Sequence, residues 1–261
     1  MRIVFVRHGE PDYVHDSLTE KGWREAELLS ERLSRWRVSD FYCSPLGRAR
    51  DTASFTLQKM NRTAVTLDWM KEFAYDIEDP VLGKKGIPWD FVPSYWSQDP
   101  FLPDAQNWTQ AQVIKQNPEI EKAYREVCES FDHLLASYGY ERDGMIYRMP
   151  KAQERFIAHT VSPGNPGCLD DQPDDPTEPV IVIFCHLGIT CLVLSHLLNI
   201  SFPALTQGFF LPTTSLTILS SEERWSNEAY FRVQAIGDVG HLLQNHEPVS
   251  SAGSFTKAFQ G

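Results

Sequence analysis

Two histidines carry the sharpest chemical signal in the sequence, because each follows directly on a run of apolar, largely β-branched residues. His8 comes after Ile3-Val4-Phe5-Val6, inside Arg7-His8-Gly9, and His186 comes after Val180-Ile181-Val182-Ile183-Phe184-Cys185, ahead of Leu187-Gly188. A neutral imidazole nitrogen can attack phosphorus directly. The guanidinium of Arg7 can hold phosphate oxygens through two parallel hydrogen bonds, and Gly9 lets backbone approach a ligand. Three residues alone also occur by chance on surface loops, so the tripeptide needs company. Ser44-Pro45-Leu46-Gly47-Arg48-Ala49-Arg50-Asp51-Thr52-Ala53 reads as a helix start, and a helix N-terminus favours an anion. Arg48 and Thr52 share one face of that helix. Arg50 points to another side, so Arg48 is the anion ligand and Arg50 a solvated charge. If the strand of His186 lies beside the first, its imidazole reaches the same anion.

Both apolar runs predict strands buried on both faces, as in a parallel sheet covered by helices, where ligands gather at the carboxyl ends of the strands. Between them, Ser17-Leu18-Thr19-Glu20 reads as a capping box, with Trp23, Ala26, Leu29, Leu33 and Trp36 following at helical spacing. Asp40–Cys43 and Ala64–Leu67 read as short strands. Ser44-Pro45 supplies an N-cap and first helical position for a helix to about Met60. Asn117-Pro118 opens a long amphipathic helix, striped by Ile120, Tyr124, Val127, Phe131, Leu134 and Tyr138 and stopped at Gly139. A further helix is expected at Ile189–Leu198, and strands at Ser215–Leu219 and Tyr230–Ile236. The expected fold class is α/β, a three-layer α/β/α sandwich with a mostly parallel central sheet. One domain spans 1–261. It is interrupted by an aromatic- and proline-rich insertion at about 76–108 and by an exposed Gly/Pro/Asp loop at about 163–179.

Composition narrows the functional classes. With 42% hydrophobic and 23% charged residues, the chain reads as an ordinary globular protein. A formal charge of −11 disfavours nucleic acid and anionic membranes as partners. It also requires any phosphate site to be a local cluster of positive charge. No stretch approaches the roughly 18 apolar residues of a membrane span, and Arg7 ends the first apolar run too early for a signal peptide. The five cysteines (Cys43, Cys128, Cys168, Cys185, Cys191) are odd in number and irregular in spacing. That argues against a disulfide framework and a zinc site, and for a cytoplasmic location.

Taken together, these motifs resemble the histidine phosphatase superfamily, which includes the cofactor-dependent phosphoglycerate mutases. The resemblance rests on Arg7-His8-Gly9, Leu18-Thr19-x-x-Gly22, Ser44-x-x-x-Arg48-Ala49-x-x-Thr52-Ala53 and His186 after its strand, in the family's order. It covers the first ~75 residues and resumes at about 180. The resemblance implies that His8 is the nucleophile that becomes phosphohistidine, with Arg7, Arg48 and His186 binding the transferring phosphoryl group. It further implies an acidic residue that protonates the leaving oxygen. Glu72 occupies that place, between Trp69 and Phe73, with Asp76, Glu78 and Asp79 as competitors. Such a mechanism needs no metal and no cofactor, since phosphoryl transfer rests on positioning and charge stabilisation.

Two features depart from the family's pattern, the first of them from its mutases. Glu10-Pro11-Asp12-Tyr13 stands where those mutases carry an asparagine and an aromatic-glycine-tryptophan segment. Leu187 stands where a glycine often follows the second histidine. The first difference favours a hydrolase acting on a small phosphorylated metabolite. Phosphoglycerate mutase is the alternative, and a catalytically silent phosphate-binding protein a further one. The insertion is expected to form a lid or substrate wall, with Trp89, Phe91, Tyr95, Trp96, Phe101 and Trp108 as an apolar rim or as packing onto the domain. Substrate identity and oligomeric state are left open by the sequence.

Overall fold

The computed structural model describes residues 1–149, 178–225, 227–254 and 256–260. In chain order its strands are β1 (Arg2–Arg7), β2 (Pro11–Asp12), β3 (Ser17–Leu18), β4 (Asp40–Cys43), β5 (Val65–Thr66), β6 (Ile77–Glu78), β7 (Lys85–Gly86), β8 (Glu141–Asp143), β9 (Ile146–Arg148), β10 (Val180–Cys185), β11 (Leu216–Trp225) and β12 (Glu228–Asp238). Its α-helices are α1 (Glu20–Leu33), α2 (Gly47–Met60), α3 (Pro93–Trp96), α4 (Gln112–Lys115), α5 (Glu119–Ser137), α6 (Leu187–Leu198), α7 (Phe202–Gly208) and α8 (Gly240–Leu243). The loop expected at about 163–179 falls outside the described residues except for its last two positions, and Cys168 falls outside with it.

Alternation along β1 explains the layering. Val4 and Val6 join Leu29, Leu33, Ala49 and Ala53 in one hydrophobic cluster, so α1 and α2 cover that face of the sheet. Ile3 and Phe5 join Phe131, Leu135, Leu192 and Leu205 in another, so α5, α6 and α7 cover the opposite face. Each side chain of this kind contributes about 1.5–3 kcal/mol when fully buried. Polar residues at these strand positions would therefore leave helices on one face without a partner.

The main sheet runs β5-β4-β10-β1-β11-β12-β9-β8. β5, β4, β10 and β1 are parallel neighbours. From β1 outward, β11, β12, β9 and β8 pair antiparallel. The layered α/β/α architecture is as expected, with a mixed sheet whose central strands are parallel.

Two helix starts differ from expectation, and in both a competing hydrogen bond moves the cap. α1 is capped by Thr19, whose side chain accepts from Gly22 N. Ser17 instead lies in β3, and its hydroxyl donates to Asp51 Oδ2 at 2.6 Å. α2 starts at Gly47 with Leu46 as an N-cap that makes no side-chain bond. Ser44 is drawn to His186 at 2.8 Å, and the Gly47 N–H goes to Asp16 Oδ2 at 2.6 Å. β11 and β12 run well beyond the expected Ser215–Leu219 and Tyr230–Ile236 because they pair with each other as a long hairpin.

Candidate active site

β1 lies beside β10 in parallel register with Arg7 opposite Cys185, so both strands end on a histidine at the same edge. The His8 N–H donates to Cys185 O at 2.9 Å, and the two imidazole centroids lie 5.1 Å apart. Both side chains are buried. His8 Nδ1 is 2.7 Å from Gly9 O. A carbonyl only accepts, so Nδ1 carries the ring proton and Nε2 keeps its lone pair. Burial, reinforced by the charges of Arg7 and Arg48 and opposed by the Gly9 carbonyl, brings the His8 pKa down to about 3. The ring is therefore neutral at ordinary pH and has a nucleophilic Nε2.

Ser44 fixes the second ring in a comparable way. Leu46 N donates to Ser44 Oγ at 3.3 Å, and His186 Nε2 is the acceptor that the Ser44 hydroxyl proton finds among the described residues. His186 Nδ1 then carries the ring proton. It is buried and has no hydrogen-bond partner among the described residues. Burial, then the proximity of His8, Arg48 and Arg7, holds the His186 pKa well below its ordinary value.

The two arginines are gripped from outside the cluster. Arg7 is buried and donates through Nη1 to Leu211 O at 2.5 Å and through Nη2 to Ala252 O at 2.9 Å. Arg48 donates through Nη1 to Asp16 Oδ1 at 2.6 Å. In both, Nε is buried and has no partner among the described residues. Both charges act on His8 and on His186, which joins the four side chains in one cluster. Thr52, on the same face of α2 as Arg48, accepts from Gly9 N at 2.8 Å and donates to Arg48 O at 2.7 Å. Gly9 itself answers to packing rather than to a ligand. A Cβ there would lie 2.8 Å from Gly22 O on α1.

Glu72 reaches the start of α6. Its Oε1 accepts from Phe73 N at 2.9 Å and from Ile189 N at 3.0 Å. A Cβ at position 188 would lie 2.6 Å from that oxygen and 3.3 Å from the Trp89 ring. Gly188 thus supplies the close approach, one position after Leu187. The three competing carboxylates lie elsewhere. Asp76 pairs with Lys85 at the surface, Glu78 is exposed, and Asp79 Oδ1 accepts from Val81 N and Leu82 N.

The aromatics of the insertion divide between core and site. Phe91 and Trp108 are buried in the core, and Phe101 is exposed. Trp89 faces Gly188 and donates from Nε1 to Phe73 O at 2.7 Å, so it braces the Glu72 segment.

Sequence reasoning missed Asp16, the Ser44–His186 contact and Glu25. Glu25 sits on the buried face of α1 among apolar residues. It accepts from Glu10 N at 2.8 Å and from Thr213 Oγ1 at 2.9 Å, immediately behind the Arg7-His8-Gly9 turn. A charged residue inside an apolar stripe was the available signal. Asp16 carried none, because its partners Gly47 and Arg48 are distant in sequence.

Among the described residues no group of three or more His, Cys, Asp or Glu side chains is placed to hold a metal ion. No described helix is long and apolar enough to cross a membrane.

Residues 3–79 match the histidine phosphatase superfamily (branch 1). A 73-residue stretch is 36% identical to a 2,3-bisphosphoglycerate-dependent phosphoglycerate mutase of Thermoplasma acidophilum, covering 24% of this chain and 36% of the mutase. The chain thus spans about a third of the length of that curated relative. Two solved structures share the fold over nearly their whole length. A mycobacterial glucosyl-3-phosphoglycerate phosphatase has a TM-score of 0.52 at 18% identity, over 90% of this chain and 98% of that one. A mutant phosphoserine phosphatase from Entamoeba histolytica, in complex with phosphoserine, has a TM-score of 0.52 at 14% identity, over 92% and 98%. Residues 3–79 are thus similar to the histidine phosphatase superfamily, and the chain as a whole shares the fold of these two solved phosphatases.

Proposed function

We propose that the chain is a phosphatase that hydrolyses a small phosphate monoester through a phosphohistidine on His8, without a metal or other cofactor. The observation that carries this reading is the set of three buried N–H donors without acceptors among the described residues: Arg7 Nε, Arg48 Nε and His186 Nδ1. Each unsatisfied buried donor costs about 1–3 kcal/mol. A phosphoryl group beside His8 Nε2 would offer oxygens to all three and accept charge-assisted hydrogen bonds from both guanidiniums.

The steps follow from the donor set. His8 Nε2 attacks phosphorus while the bond to the leaving oxygen breaks. Arg7, Arg48 and His186 hold the equatorial oxygens as charge spreads over them. Glu72 gives its proton to the leaving oxygen. It then takes a proton from the water that attacks phosphohistidine, which releases inorganic phosphate and restores neutral His8. Trp89 supports assigning the 76–108 insertion to the pocket wall, since its ring lies against Gly188. The described cysteines, all free thiols, support a cytoplasmic setting. The names of the structural neighbours support phosphatase over mutase, and the Thermoplasma relative supports the second reading, a mutase primed by a bisphosphate.

Hydrolysis of an aryl and an alkyl phosphate by wild type and Glu72→Gln tests the reading. Wild type should release phosphate from both esters, unaided by a bisphosphate primer. Glu72→Gln should slow the alkyl ester by about 10²–10⁴-fold. It should slow p-nitrophenyl phosphate far less, because nitrophenolate leaves without a proton. Phosphate transfer that depends on a primer would favour the mutase.

A further inference from the structure

We propose that Asp16 is a positioning residue for catalysis, which orients Arg48 so that the Nε–Nη2 edge of its guanidinium faces the phosphoryl group. This rests on the phosphatase reading of the His8 site and adds a residue to it. Asp16 Oδ1 accepts from Arg48 Nη1 at 2.6 Å, and Asp16 Oδ2 accepts from Gly47 N at 2.6 Å. One carboxylate thus holds both the first backbone N–H of α2 and the side chain one residue further on.

The choice of Nη1 matters for recognition. A guanidinium offers paired parallel N–H bonds along an edge, and Nη2 is the nitrogen on the same side as Nε–H. With Nη1 bound to Asp16, the Nε–Nη2 edge is left for a phosphate, and Arg48 Nε is a buried donor without a partner among the described residues. Arg48 is otherwise a long flexible side chain on the first turn of a helix. The grip removes rotamer freedom before substrate arrives rather than during binding.

Several features around Asp16 are shaped to this contact. Its backbone is left-handed, with φ at +47°, a region that Asp tolerates better than most residues. The chain passes so close to α2 that a Cβ at position 47 would lie 2.0 Å from Asp16 O, so only glycine fits there. Ser17 Oγ donates to Asp51 Oδ2 at 2.6 Å, which fastens the other end of the loop to the same helix. Tyr13 lays its ring over Arg48 with the guanidinium carbon 5.5 Å from its centroid. Burial would raise the Asp16 pKa, but the bonds from Gly47 and Arg48 together keep it below its ordinary value, so the carboxylate is charged when substrate binds.

A double-mutant cycle on the full chain tests this. Affinity for inorganic phosphate and the KM and kcat for p-nitrophenyl phosphate are measured in wild type, Asp16→Asn, Asp16→Ala, Arg48→Ala and the Asp16→Ala/Arg48→Ala double variant. Asn also accepts a left-handed backbone and offers one carbonyl in place of two carboxylate oxygens, so Asp16→Asn remains informative if Asp16→Ala folds poorly. Asp16→Ala should raise KM and the phosphate Kd by about tenfold, with a smaller rise for Asp16→Asn. In the Arg48→Ala background the Asp16 substitution should have no further effect, because its partner is gone. Wild-type KM and phosphate Kd in both Asp16 single variants would overturn the inference. So would losses that multiply in the double variant, since Asp16 would then act independently of Arg48. A wild-type protein that neither binds phosphate nor turns over ester would overturn the phosphatase reading itself, and this inference with it.

Discussion

The two arginines act on the same pair of histidines and are held in opposite ways. Arg7 is buried at the end of a central strand, and neutral backbone carbonyls of Leu211 and Ala252 take its Nη groups. Arg48 rises from the first turn of a surface helix, and a carboxylate that is 44% exposed takes its Nη1. The inner arginine keeps its full positive charge in the site but is bound into the fold, because two loops depend on it for hydrogen bonds. The outer arginine shares its charge with Asp16, and little else depends on it. On the proposed reading, one phosphate clamp joins a cation fixed by backbone carbonyls to one fixed by a side-chain carboxylate.

The comparison breaks most readily at the arginines themselves. Arg7→Ala should lower kcat/KM by about 10³-fold and also cost about 2–4 kcal/mol of stability, because a buried and a half-buried carbonyl lose their donor. Arg48→Ala should lower kcat/KM by about 10²–10³-fold, while stability changes by less than about 1 kcal/mol. Steady-state kinetics and urea denaturation on both variants check this. Equal stability losses would erase the distinction between the two arginines.

A smaller effect sharpens the inner half. Burial pushes the Glu25 pKa up to about 7, against the opposing bonds from Thr213 and Glu10 N. Its folded pKa is therefore raised, so its contribution to stability is complete below about pH 4.5 and is lost as pH rises through about 7. His8 acts with the other sign. Its folded pKa is lowered to about 3 from 6.5, so the unfolded chain binds more protons and stability falls as pH drops through that window. Glu25→Gln imitates the protonated acid, since its amide can donate to Thr213 and its carbonyl can accept from Glu10 N. The variant should be more stable than wild type at pH 8 by about 1–3 kcal/mol, with the two curves meeting near pH 4. Parallel denaturation curves across that range would show that Glu25 is not held protonated in the fold.

The sequence made the inner half legible where pattern and chemistry coincided. Unbroken β-branched runs placed β1 and β10 inside the sheet, and their terminal histidines then had to share an edge. The i,i+4 spacing of Arg48 and Thr52 gave the helix face that meets Gly9. What stayed hidden depended on distant chain segments. Ser44 looked like a helix cap, yet its hydroxyl serves His186. Glu25 lay inside an apolar stripe whose polar member only makes sense once Thr213 is brought beside it. The carbonyls that hold Arg7 come from residues 211 and 252, which no local spacing connects to residue 7.

The central claim is that neutral His8 takes the phosphoryl group through Nε2. The direct measurement is to quench the full-length protein during turnover of a labelled phosphate monoester and quantify phosphoprotein by its acid lability and alkali stability, in wild type and in His8→Ala. Wild type should yield an acid-labile phosphoenzyme that maps to His8, while His8→Ala should yield none and lose at least about 10³-fold in kcat. Turnover that persists in His8→Ala, or label on any residue other than His8, would contradict the account.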